Sequence, residues 1–301
     1  MRSVTEHGFT TYPRRFDSYR WYKPILVGLI FITIYFAAER LITLSTKYLL
    51  GVTVESTGYD DLDVFTAAGA FVNTAIAAAV IPSLIVAALI VRDRPVSSYF
   101  SSMGGWRWKV FFKTLAAAVV LMAVPNVIFD LITEERGSIK FTIAGFILIT
   151  VFCPLQGVAE EMMFRSYMMQ TVSSWCKIPV VGIIVQIIIF TVAHQYNVIG
   201  LIGIAISALL YALVCVFSKG IESSSAMHMV NNLTAIYMAG FGVGSITSEQ
   251  TIRDQVINII TKLVFFLFIL FADRKLHWFD EVKRDDVAPF NAKYNAKHKK
   301  A

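Results

Sequence analysis

Apolar runs of about twenty residues or longer recur from one end of this chain to the other. About 20 residues of helix cross the roughly 30 Å hydrocarbon core of a bilayer. In that solvent every backbone N–H and C=O must find its partner inside a helix or a closed barrel. The alternation of apolar and polar positions that barrel strands need is absent. The runs therefore predict helices near 24–44, 64–91, 110–132, 141–172, 179–196, 199–217, 223–241 and 256–272. The expected fold is all-α, a polytopic transmembrane bundle of about eight helices with an unusually long fourth. A hydrophobic fraction of 56% against 16% charged residues, with mean hydropathy +0.62, excludes a soluble domain, which would have to leave much of that surface wet.

Lys and Arg placement in short loops sets orientation. The leader carries Arg2, Arg14, Arg15, Arg20 and Lys23, and the loop after the second span carries Arg92, Arg94, Arg107 and Lys109. Both are expected in the cytoplasm. The intervening loop, about 45–63, sets Glu55, Asp60, Asp61 and Asp63 against a single Lys, as an outside loop should. The tail adds Arg274, Lys275, Lys283, Arg284, Lys293, Lys297, Lys299 and Lys300, which returns the C-terminus to the cytoplasm. The expectation is a multi-pass cell-membrane protein with both termini cytoplasmic. Its net charge of +6 then faces membrane lipid, and no basic patch with interleaved aromatics points to nucleic acid.

The first 23 residues are polar and lack the short apolar stretch and small-residue site of a cleavable signal, so the first span is expected to stay as an anchor. The organisation expected is a basic leader at 1–23, transmembrane helices over 24–140, a core at 141–245, a last helix within 246–273 and a basic tail at 274–301. The two ends hold too few apolar residues for a core and are expected as surface arms. Cys153, Cys176 and Cys215 are odd in number and widely spaced, so they suggest neither a disulfide framework nor a cysteine zinc site.

Three polar insertions interrupt the apolar second half: Glu160-Glu161-x-x-x-Arg165, Phe190-x-x-x-His194 and His228-x-x-x-Asn232. An ionisable residue at membrane depth costs roughly 2.5–3.5 kcal/mol on insertion scales and points to function by default. Residues four apart share a helix face, so Glu161 and Arg165 can pair, with the acid in the favoured N-terminal position. Glu160 lies about 100° round the helix, without that partner. A carboxylate desolvated in this way suits general acid or base work. His228 and Asn232 offer an imidazole and an amide on one face, a pair of donors for a developing oxyanion.

Each residue has a structural alternative. Glu161 and Arg165 can be a buried structural pair, His194 and Asn232 interhelical hydrogen-bond partners, and Phe190 packing. Glu39, Arg40, Asp130 and Lys262 lie near span ends or can snorkel, and the bland reading is kept for them. The combination of two Glu, an Arg, two His and an Asn on three nearby helices favours a site. With a turn centred on Lys177, Glu160 and His194 each lie 17 residues away, about 25 Å along antiparallel helices. Counted from Ser218-Lys219-Gly220, His228 is only about 12 Å deep, so that hairpin must dip inward or its helices must tilt. Cys153-Pro154 and Gly157 leave open whether 141–172 is one kinked helix or two, which would invert the later loops.

In this order on consecutive membrane helices, the three motifs resemble the CPBP or Abi family of CAAX prenyl endopeptidase relatives and bacteriocin-processing or self-immunity proteins. The resemblance covers about residues 140–245. Ser166 stands where Gly commonly follows the Arg, and Ser218-Lys219-Gly220 where a Thr-Gly turn is usual. The resemblance implies intramembrane peptide-bond hydrolysis on a peptide or membrane-anchored protein substrate. Glu160 and His194 would activate water, His228 and Asn232 would hold the oxyanion, and Glu161 with Arg165 would fix the helix carrying Glu160. A metal version of the family mechanism would use Glu160, His194 and His228 as zinc ligands. Without a His-Glu-x-x-His helix, and with deep apolar burial, the cofactor-free version is favoured. The alternative function is a non-proteolytic immunity or membrane interaction protein; a transporter is weaker, because the halves show no repeat.

Overall fold

The computed structural model describes residues 8–53 and 62–298. Of the charges that set the expected topology, Arg2, Glu55, Asp60, Asp61, Lys299 and Lys300 lie outside the described residues. Among the described residues eight principal helical segments follow in order: α1 (Lys23–Leu50), α2 (Ala67–Val91), α3 (Trp108–Thr133), α4 (Ile143–Cys176), α5 (Pro179–Val192), α6 (Val198–Ser218), α7 (Glu222–Gly240) and α8 (Ile252–Lys275). A short α9 (Val287–His298) follows in the tail. Six of these, all but α5, α7 and α9, are long and apolar enough to cross a membrane. The chain is an all-helical, multi-pass membrane protein.

Helix α4 runs without a loop despite Pro154, so the later connections keep their sides. Its hydrogen bonding changes to a π pattern over Met162–Met169, a local widening that often marks functional helices. Helix α5 stops at Val192, four residues before the predicted boundary at 196. The Asn197 side chain accepts from the Gly200 backbone N–H and caps α6 instead, because a capped terminus satisfies donors that a continued α5 would leave to a polar His194-Gln195 stretch. At 14 residues, α5 is about 21 Å long and falls short of the hydrocarbon thickness.

Connections gather at two ends of the bundle. At one end Phe65 accepts from Thr142, Gly242 from Gly137, and Ser248 from Asn197, all through backbone atoms. At the other, Ser102 donates to the Lys219 carbonyl and Lys283 to that of Met103. The leader and tail meet here too; the tail helix lies on the surface as expected, whereas the leader departs from the expected surface arm. Phe9, Tyr12 and Phe16 are buried, Phe16 packs edge-on against Phe290, and Asn295 donates to Asp17. Neither arm has a core of its own, but each supplies aromatics to a shared one.

Helix α1 packs along α2 at the periphery, α2 lies along α4, and α7 stands between α3, α4 and α6. Gly157 sets the approach of α4 and α7: a Cβ there would sit 3.1 Å from the Met229 nitrogen. Small residues permit such contact where lipid supplies no hydrophobic drive between helices. Everything from Glu222 to Val230 on α7 is buried, whereas most of Asn231 to Met238 is half-exposed. The 92–107 loop closes over the 218–220 turn. Glu222 takes Nε and Nη2 of Arg107 at 2.8 and 2.9 Å, and Nη2 also reaches the Ser218 carbonyl at 2.7 Å. This buried bidentate pair stands in for the water that a polar helix start would otherwise need.

Candidate active site

The three motifs meet on α4, α5 and α7, with α6 as a wall. Glu161 is fully buried. Its Oε1 lies 3.0 Å from Arg165 Nη1, one turn on, and 3.0 Å from His228 Nδ1. Ser224 Oγ and Cys215 Sγ are 2.9 Å apart on its far side, with the thiol 3.9 Å from Oε2. The contact with Arg165 is ionic rather than a well-aligned hydrogen bond, since Nε and Nη1 have no aligned acceptor. Aromatic faces enclose the guanidinium instead, Phe190 at 4.5 Å and Tyr211 at 5.1 Å. Cation–π attraction is strongest when desolvated in this way.

Glu160 is the accessible acid, with 19% of its side chain exposed. Oε1 accepts from Gln156 Nε2 at 3.0 Å, and Oε2 lies 3.6 Å from His228 Nε2. It is therefore neither partnerless nor fully desolvated, contrary to the expectation from helical geometry alone. Gln156 is its i−4 neighbour, a relationship that the sequence contained and that the motif spacing passed over.

His228 thus spans the two carboxylates, one at each ring nitrogen. Its ring lies flat on that of Tyr211, with centroids 4.7 Å apart and planes 13° apart. Asn232 shares the α7 face, and its Oδ1 accepts from Asn231 Nδ2 at 3.0 Å, which leaves its own amide N–H groups to donate. His194 sits just past α5, half-exposed. Its Nδ1 lies 2.7 Å from the Phe190 carbonyl. A carbonyl can only accept, so Nδ1 carries the hydrogen and Nε2 is left as the acceptor of a neutral ring. Phe190 separates the two imidazoles, 4.6 Å from His194 and 6.1 Å from His228. Tyr196 stacks on His194, with ring planes 19° apart.

Lys262 departs from its expected role. It does not snorkel: it is 3% exposed, donates to Ser207 Oγ at 2.8 Å and lies 5.8 Å from the Tyr211 ring centre. Zinc would need Glu160, His194 and His228 to converge on one point. Among the described residues no three His, Cys, Asp or Glu side chains are grouped as a metal would require.

Fold and site define a polytopic helical membrane protein with a buried carboxylate–imidazole–guanidinium cluster that opens to one partly exposed glutamate. Residues 141–234 match the model of a family described as type II CAAX prenyl endopeptidase Rce1-like, in line with the resemblance carried by the three motifs. No match was found among curated proteins or among solved structures.

Proposed function

We propose that the protein is an intramembrane endopeptidase of the cell membrane, with both termini cytoplasmic, that hydrolyses a membrane-associated or small peptide substrate without a metal. A water held by the free Nε2 of His194 gives a proton to Glu160 and attacks the scissile carbonyl; when the tetrahedral intermediate collapses the C–N bond breaks and Glu160 returns that proton to the leaving amine. The tetrahedral oxygen is held by the Asn232 amide and by His228, whose 3.6 Å separation from Glu160 leaves Nε2 free to turn to a third atom. An imidazolium there donates at both nitrogens and balances Glu160, Glu161 and Arg165 to zero charge. Glu161 and Arg165 fix the helix and the ring. The observation that carries this reading is the His228 imidazole held between a buried, paired carboxylate and an accessible one. That arrangement gives neighbouring acids different environments and hence different work.

The test uses the full chain in liposomes with an internally quenched farnesylated peptide ending in a CAAX tetrapeptide, beside its unprenylated form. Cleavage of either that needs Glu160 supports the reading. Absence of cleavage of both, together with an unchanged set of new protein N-termini in membranes that carry the chain, favours a non-proteolytic immunity or interaction protein.

A further inference from the structure

Lys262 is a buried cation that the proposed chemistry leaves unused. An ammonium at membrane depth is costly, and such residues normally pair or line a functional path. Among the described residues its one hydrogen-bond partner is a neutral hydroxyl, Ser207 Oγ, which itself donates to the Gly203 carbonyl at 2.8 Å. The Ser207 oxygen is thereby turned to accept from Lys262. Ser207 and Tyr211 are four residues apart on α6 and share a face. Lys262 therefore clamps α8 to α6 one turn from Tyr211 and sets its charge 5.8 Å from the centre of that ring.

Tyr211 is fully enclosed and is the plate on which the His228 ring lies, with the Arg165 guanidinium also over it at 5.1 Å. The imidazole has to keep one plane to meet Glu161 at 3.0 Å and Glu160 at 3.6 Å together. Hydrogen bonds define that geometry at the ring edges only. The tilt about the line joining the two nitrogens is left to whatever the ring face rests on. A phenol ring drawn to two cations is a fixed support, whereas one packed only against aliphatic groups can tilt.

We propose that Lys262 is a positioning residue of the twin-glutamate site, acting through Tyr211 to hold the His228 imidazole in the plane that faces both carboxylates. Its kinetic consequence rests on the endopeptidase reading; its geometric consequence does not. Groups that face His228 are Glu160 and Glu161 on α4, Phe190 on α5 and Tyr211 on α6, with Arg165 behind Glu161. Of these groups Tyr211 is the one that Lys262 faces, at 5.8 Å from the ring centre, and its influence passes through that ring.

The test combines kinetics with histidine side-chain ¹⁵N spectra of the full chain in detergent, the His228 signals being assigned by their loss in His228→Gln. Lys262→Met should lower kcat on the farnesylated peptide about tenfold with KM held within about twofold, the pattern of a lost transition-state geometry. It should also shift the His228 signals while those of His277, in the tail, stay put. Lys262→Arg keeps a cation against the ring and should recover most of both. Tyr211→Leu should reproduce the His228 shift with Lys262 intact, and the double variant should show no further loss, as expected for two residues on one route. Additive losses, or wild-type His228 signals in Lys262→Met, would overturn the proposal. Where Lys262→Met does not fold, Lys262→Arg and Tyr211→Leu carry the same comparison. A wild-type chain that cleaves no peptide counts against the endopeptidase reading alone, and the spectra still decide this one.

Discussion

His228 Nδ1 lies 3.0 Å from Glu161 Oε1, and this contact fixes which way the other ring nitrogen points. A buried carboxylate that accepts at one imidazole edge sets ring orientation and tautomer. Glu161 can do so because Arg165 compensates its charge from one turn away. The adjacent acids are then unequal: Glu161 holds the site together, and Glu160 is left at the accessible edge.

Arg165→Ala should therefore act on stability as well as on turnover. Removing one partner of a buried pair leaves the other as an uncompensated charge, at a cost of about 3–5 kcal/mol. The expected result is a lower melting temperature in detergent together with loss of cleavage. An unaltered melting curve with lost activity would place Arg165 on the substrate instead.

Gln156→Leu should lower kcat roughly tenfold, since a hydrogen bond to a charged group contributes about 1.5–3 kcal/mol and a half-exposed one contributes at the low end. KM and melting temperature should hold. Full activity would show that Glu160 needs no help in keeping its orientation.

Arg107→Met should destabilise the protein by about 3–5 kcal/mol, and the Arg107→Met/Glu222→Met double variant should recover much of that loss. Thermal unfolding of the four forms gives the coupling. A coupling near zero would mean that the 218–220 turn is held by packing alone.

Exhaustive chelation should leave cleavage intact, and elemental analysis should find less than one zinc per chain. His228→Ala should keep residual turnover, because an oxyanion donor contributes roughly 2.7–4 kcal/mol to transition-state stabilisation. A stoichiometric zinc that disappears in His228→Ala, with activity restored by added zinc, would replace the water-activating glutamate by a metal centre.

Contacts within one helix were legible in the sequence. The spacing of Glu161 and Arg165 gave their pairing, and the turn at Lys177 was placed where the chain takes a left-handed conformation with Pro179 at the first turn of α5. Contacts between helices were not. Periodicity assigns a residue to a face without naming what lies opposite, so the span of His228 across both glutamates was out of reach. Lys262 was read as a snorkelling side chain because its length allows it; the structure turns its face to α6 rather than to lipid. The Arg107–Glu222 pair joins a loop to a helix 115 residues away, and charge counting had spent Arg107 on topology. The docking of Phe16 on Phe290 escaped for a related reason, since neither arm alone has an apolar pattern that predicts burial.

The most direct test of the account compares wild type with Glu160→Gln, reconstituted at equal amounts in liposomes with the quenched farnesylated peptide. The substitution keeps size and the hydrogen bond from Gln156 and removes the base, so kcat should fall by about 10²–10⁴-fold with insertion and melting temperature unchanged. Cleavage by Glu160→Gln at the wild-type rate would contradict the assignment of Glu160 as the group that activates water.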